Sequence, residues 1–169
     1  MQKRVRRKLV SLYTGELFAV FTFALMWLLY IQLFEWSVPY LTSFSSLYAF
    51  ALLEFILLQG SYYWYLKLKQ VKQNDFSNLP ARRLRTFEFF KRLNSLFILI
   101  GLMVLIYQIT SKQIELYWFI FLFLFAVIEH INYYYFRISY LSLEELKELK
   151  RQKGFRRSKL AKELSNSTK

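Results

Sequence analysis

The sequence predicts an all-α membrane protein: four transmembrane helices in a bundle, arranged as two helical hairpins, with N- and C-termini cytoplasmic and an amphipathic cytoplasmic tail helix. Three observations predict it. Hydrophobic residues make up 56% and aromatic residues 21% of the 169-residue chain, more than a soluble core of that length needs. The apolar residues fall into four stretches, which at about 1.5 Å per residue suit a hydrocarbon layer of roughly 30 Å. Lysine and arginine collect in alternate connections between those stretches, as the positive-inside rule requires of a chain that crosses repeatedly.

The first span, 12–34, follows the basic leader Lys3, Arg4, Arg6, Arg7 and Lys8. Its apolar run is too long for a signal peptide and lacks a small-x-small cleavage site, so it reads as a retained anchor. Trp36-Ser37-Val38-Pro39-Tyr40 is a short uncharged turn in which proline stops the helix. The second span, 41–66, ends in Tyr62-Tyr63-Trp64-Tyr65 followed by Lys67 and Lys69, rings and then cations marking a water boundary. A cytoplasmic loop, 67–92, follows. In it Asn74 to Pro80 is turn-like, while Leu84, Phe87 and Phe90 recur at helical spacing among arginines, a pattern suited to lying flat on the inner leaflet.

The third span, 93–109, is short and uncharged, and the polar turn around Lys112 leads to the fourth, 114–136. Residues 1–140 thus form the transmembrane domain, and 141–169 a basic tail. Ser142-Leu143-Glu144-Glu145 has the spacing of a capping box, with Leu146 and Leu149 continuing an apolar stripe. A second basic amphipathic turn or two follows Phe155, and the end is expected to fray from Ser165. A faint internal repeat links Lys8–Tyr13 to Arg92–Phe97 and Ser61–Tyr65 to Asn132–Phe136.

Of the 24 cations, five precede the first span, eight lie in 67–92 and ten follow Phe136, whereas Lys112 alone lies on the other side. This sets the termini and central loop in the cytoplasm and explains most of the net +13 as topology, so nucleic acid is not an expected partner. The expected partners are the anionic lipids of the inner leaflet, through Arg82, Arg83, Arg85, Arg156 and Arg157, and a protein partner or a second copy of the chain. The chain has no cysteine, which excludes disulfides, thiolate metal sites and cysteine nucleophiles.

In lipid, helix contacts are marked by small or polar residues recurring at three and four. The seams so marked are Ser11, Gly15, Ala19, Thr22 and Met26 on span one, and Ser43, Leu47, Ala51, Glu54, Leu58, Ser61 and Tyr65 on span two. Spans three and four offer Asn94, Ile98, Gly101, Leu105, Gln108 and Leu122, Phe125, Ala126, Glu129, Asn132, Tyr133, Phe136. Glu54 and Glu129 stand equally far along parallel spans, roughly 21 Å from the outer end, and are expected to meet.

With His130, Asn132, Glu16 and Gln108 these two acids are the intramembrane polar candidates, either a proton relay or ligand pocket or simply hydrogen bonds fastening the bundle. A Ser-His-Asp triad is not expected, since the one histidine is intramembrane and the one aspartate, Asp75, lies in the loop; an intramembrane enzyme using Glu129 and His130 is the third reading. The glycines are too dispersed to cradle phosphate, and paired histidines are missing, so neither catalytic residues, cofactor nor metal is expected. The expected function is a non-enzymatic binding, accessory or protective subunit of a bacterial cytoplasmic membrane. The alternative is a small proton-coupled transporter or ion-conducting protein using Glu54 and Glu129.

Overall fold

A computed structural model describes residues 2–111, 114–138 and 156–167. α1 (Gln2–Leu33) carries the basic leader and the first apolar stretch as one helix. Ser37, in a 3-10 turn over Glu35–Ser37, donates its hydroxyl to the Tyr30 and Phe34 carbonyls at 2.8 Å each, satisfying acceptors left open at the helix end. Pro39 sits in the first turn of the short α2 (Val38–Leu41), where its missing N–H costs nothing. Ser43, in extended conformation, caps α3 (Phe44–Lys72) by accepting the Ser46 N–H.

The turn after α3 closes by a Schellman motif. Asn74 takes the left-handed conformation at φ 59°, its N–H bonds the Val71 carbonyl, and the Asp75 N–H bonds that of Gln70 at 3.0 Å. Asp75 then accepts from the Ser77 N–H at 2.9 Å and from Gln70 at 3.2 Å, bonds that hold its carboxyl below the usual carboxylate range.

α4 (Ala81–Ser111) starts directly after Pro80 and is unbroken. The non-helical part of the connection is therefore 73–80, and the segment from Ala81 to Arg92 is the first part of α4 and not a separate helix. The physical reason is the destination of its apolar stripe. Leu84 and Phe87 are buried in the core, the Phe87 ring lying 5.8 Å from Tyr62 and 5.7 Å from Tyr63 of α3, and Phe90 packs edge-on to Phe55. A neighbouring helix, not lipid, covers that stripe.

α5 (Leu116–Tyr134) ends at Tyr135, after which the chain pairs briefly with the tail: Phe136 and Arg157 form an antiparallel bridge. The Arg137 N–H bonds the Arg156 carbonyl at 2.8 Å, and the Ser158 N–H that of Tyr135 at 3.0 Å. Ser158 is buried, donates to the Tyr133 carbonyl and caps α6 (Lys159–Ser167) by accepting the Ala161 N–H at 3.0 Å. Helix thus continues through Ser165, where fraying was expected. The anticipated capping box at Ser142 lies outside the described residues.

Among the described residues four helices are long and apolar enough to cross a membrane: Val5–Leu33 within α1, then α3, α4 and α5. α3 is the hub, touching each of the other three. Cross-contacts give the directions. Tyr13 meets Tyr65 and Trp27 stacks on Phe50, so α1 and α3 are antiparallel. Gln59 meets Asn94 and Gln108 meets Ser45, so α3 and α4 are antiparallel, while Gln59 with Tyr134 and Ser45 with Glu115 make α3 and α5 parallel. The start of α1, the end of α3, the start of α4 and the end of α5 therefore share one end of the bundle, together with α6.

The seams expected on α4 and α5 are largely those buried: Asn94, Gly101 and Gln108, and Leu122, Ala126 and Tyr133. Phe136, at the end of the α5 seam, is exposed. Those on α1 and α3 are displaced. Ser11, Gly15 and Met26 are exposed, and α1 meets α3 and α5 through Tyr13, Glu16, Phe23 and Trp27. On α3, Leu47, Ala51, Leu58 and Tyr65 are exposed and Ser61 alone of the expected seam is buried, alongside Ser45, Ala49, Leu53, Ile56, Gln59, Gly60 and Tyr63. Large rings interlock α1 with its neighbours where small residues were expected. α3, wrapped from three sides, is oriented by its best-matched polar partner, Gln59.

Candidate functional site

Polar side chains in the bundle fall into layers. At the end away from the basic groups, the buried Gln108 donates from Nε2 to Ser45 Oγ at 2.6 Å, and Ser45 reaches Glu115 at 3.5 Å. Deeper toward the basic end, Gln59 and Asn94 form a reciprocal amide pair: Gln59 Nε2 donates to Asn94 Oδ1 at 3.1 Å, and Asn94 Nδ2 to Gln59 Oε1 at 2.8 Å. The Tyr134 hydroxyl adds a third bond to Gln59 Oε1 at 2.6 Å. Three helices are thus joined by groups that lipid could not satisfy.

The intramembrane acids are not gathered as expected. Glu129 accepts from Asn132 at 3.2 Å, one turn on in its own helix, and it is Glu16 of α1, not Glu54, that shares its neighbourhood. The Tyr133 hydroxyl donates to Glu16 and lies within electrostatic range of Glu129. Gly60 makes room for this ring, since a Cβ there would collide with Tyr133. Glu54 stands apart, half-buried, its Oε1 enclosed without a hydrogen-bond partner among the described residues. His130, about 100° round α5 from Glu129, is buried with its ring 5.1 Å from Tyr134 and 5.7 Å from Tyr135. Among the described residues no group of three histidines or acids is placed to hold a metal ion.

Sequence reasoning missed a buried ion pair at the basic end, the most extensively bonded polar group among the described residues. Lys67 and Glu163 form an ion pair at 2.7 Å with side chains only 5% and 4% exposed. Burying two charges is favourable only when their other bonding groups are satisfied too. Here Lys67 also donates to the Ser77 carbonyl at 2.9 Å and Gln70 at 3.3 Å, while Glu163 accepts from the Tyr63 hydroxyl at 3.2 Å and the Leu79 N–H at 3.1 Å. One carboxylate thereby ties α6 to α3 and to the 73–80 turn. A signal existed: Glu163 is the only acid after Glu148, and it shares a face with Leu160, which is buried beside it.

Between α4, the end of α5 and α6 opens a cleft of about 710 Å³. Its walls bring Lys91, Arg92 and Arg157 together with Glu88, Ser95 and the rings of Tyr134, Tyr135 and Phe136. Lys91 Nζ lies 4.3 Å over the Tyr135 ring, and Arg92 is held by Glu88 at 2.7 Å. Arg157 thus joins a cleft with α4, and Arg156 is beside it, whereas Arg82, Arg83 and Arg85 lie exposed on the first turns of α4, Arg83 bonding the Tyr62 hydroxyl at 2.9 Å. The chain matches no family model, no curated protein and no solved structure, so its function is read from this geometry.

Proposed function

We propose that the protein is a non-enzymatic multi-pass component of a bacterial cytoplasmic membrane, with its basic end inside, that acts by binding there as an accessory or protective subunit. What carries this reading is the concentration of charge: 23 of the 24 lysines and arginines belong to segments at or leading from one end of the bundle, and α6 is anchored on that end by a buried ion pair. The polar layers inside the bundle mostly bond one another, which suits fastening better than passage of a solute. The test is reconstitution in nanodiscs of mixed phosphatidylcholine and phosphatidylglycerol. Enrichment of the anionic lipid around the protein is expected, and an unbiased annulus would refute the reading.

The grouping of Glu16, Tyr133, Glu129 and Asn132 favours, as a second reading, a proton-conducting path on the α1–α5 side of the bundle. Proton flux into liposomes separates the two. Flux that disappears in a Glu16→Gln, Glu129→Gln double variant supports conduction, whereas absent or unaltered flux leaves these groups as fasteners. Glu54→Gln is the companion variant for the wider relay.

A further inference from the structure

We infer that the cleft between α4, the end of α5 and α6 is a specific site for one anionic phospholipid, the headgroup phosphate held by Lys91, Arg92 and Arg157 and an acyl chain laid along α4. The inference deepens the binding role proposed above and rests on it. The charge balance of the cleft is three cations to one acid, and that acid, Glu88, is engaged with Arg92 and orients it. Lys91 is held over Tyr135, and Arg157 is fixed in place through its backbone bridge to Phe136. One helix, α4, and the bridge residue Arg157 thus bring guanidinium and ammonium groups to one space, the arrangement that binds phosphate by charge-assisted hydrogen bonds.

The second observation is what lies below. Glu88, Arg92 and Ser95 continue at helical spacing into Leu99, Leu102 and Ile106, all exposed, at 51%, 44% and 66%. From Ser95 to Ile106 the stripe runs about 16 Å along α4 away from the basic end, on the order of one acyl chain. A polar cleft continuous with an apolar strip fits a molecule with a phosphate at one end and hydrocarbon at the other, and gives a free phosphate no use for the strip. Phe136 and Tyr135, both exposed at the rim, lie at the depth where rings commonly border headgroups.

Native mass spectrometry of the full chain in mild detergent, titrated with phosphatidylglycerol and phosphatidylcholine, tests the proposal. One phosphatidylglycerol is expected to bind in clear preference to phosphatidylcholine, and Lys91→Gln with Arg157→Gln to weaken it roughly fivefold for each charge removed. Arg157→Gln alone, at an exposed position, serves if the double variant unfolds. Retained affinity in these variants with loss in Arg82→Gln, Arg83→Gln, Arg85→Gln would overturn the cleft while leaving the general lipid reading intact. Equal binding of the two lipids by the unaltered chain would overturn both. Displacement of phosphatidylglycerol by millimolar inorganic phosphate, or unchanged binding in Leu99→Gln, would overturn the assignment to a lipid.

Discussion

Glu163 shows what one side chain decides. With Lys67 enclosed beneath it, replacing Glu163 by Gln leaves a buried ammonium without its counter-charge, a change that typically costs about 3–5 kcal/mol. The expected result is a marked fall in the unfolding midpoint in detergent, followed by helical circular dichroism, with partial recovery when Lys67→Met is added. Glycines make a second contrast. Gly60→Ala drives a methyl into Tyr133 and is expected to cost about 1–3 kcal/mol, as is Gly101→Ala against Phe123, whereas Gly15 faces open space and Gly15→Ala is neutral or gains up to about 1 kcal/mol of helix propensity. The same midpoint measurement ranks them. Asp75 sets a pH dependence: its folded carboxyl is depressed, so its contribution is present above the ordinary carboxylate range and lost as pH falls through the depressed value. Asp75→Asn is expected to flatten the acid limb of a midpoint-against-pH curve.

Among the elements, α4 has the basic start of an interfacial helix and the apolar body of a span, and it is one rod because Leu84 and Phe87 find α3. The consequence is a difference between two phenylalanines two residues apart. Phe87, fully buried, is expected to lose about 3–5 kcal/mol on replacement by Ala, while Phe89, 61% exposed, is expected to change stability by no more than about 0.5 kcal/mol. A helix lying on the leaflet would instead make both variants alter membrane affinity and neither the folding midpoint. The helical pattern from Ala81 was legible in the sequence. Its continuity with the third span was not, because an apolar stripe flanked by arginines has the same periodicity whether lipid or a neighbouring helix covers it.

For the whole molecule, the charge bias implies that the 73–80 turn and the connection after α4 lie on opposite sides of the membrane. Because the chain has no cysteine, Asn78→Cys and Thr110→Cys provide clean reporters. An impermeant maleimide applied to sealed cells is expected to label Thr110→Cys and to reach Asn78→Cys only after lysis. Labelling of both from outside would refute the proposed sidedness.

The number of long apolar helices was determined by the sequence alone, because bilayer thickness demands long uninterrupted runs and the chain supplies them wherever it crosses. The buried faces of α4 and α5 were legible for a related reason: Asn94, Gly101, Gln108 and Ala126 are polar or small at positions where lipid favours neither. Tertiary structure alone decided the rest. Glu16 displaced Glu54 as the neighbour of Glu129 because helix rotation depends on how Gln59, Asn94 and Tyr134 lock together, an interaction among three helices that no single periodicity encodes. Likewise, being the one acid after Glu148 singles Glu163 out without naming its partner, and only the docking of α6 over Lys67 makes that carboxylate part of the core.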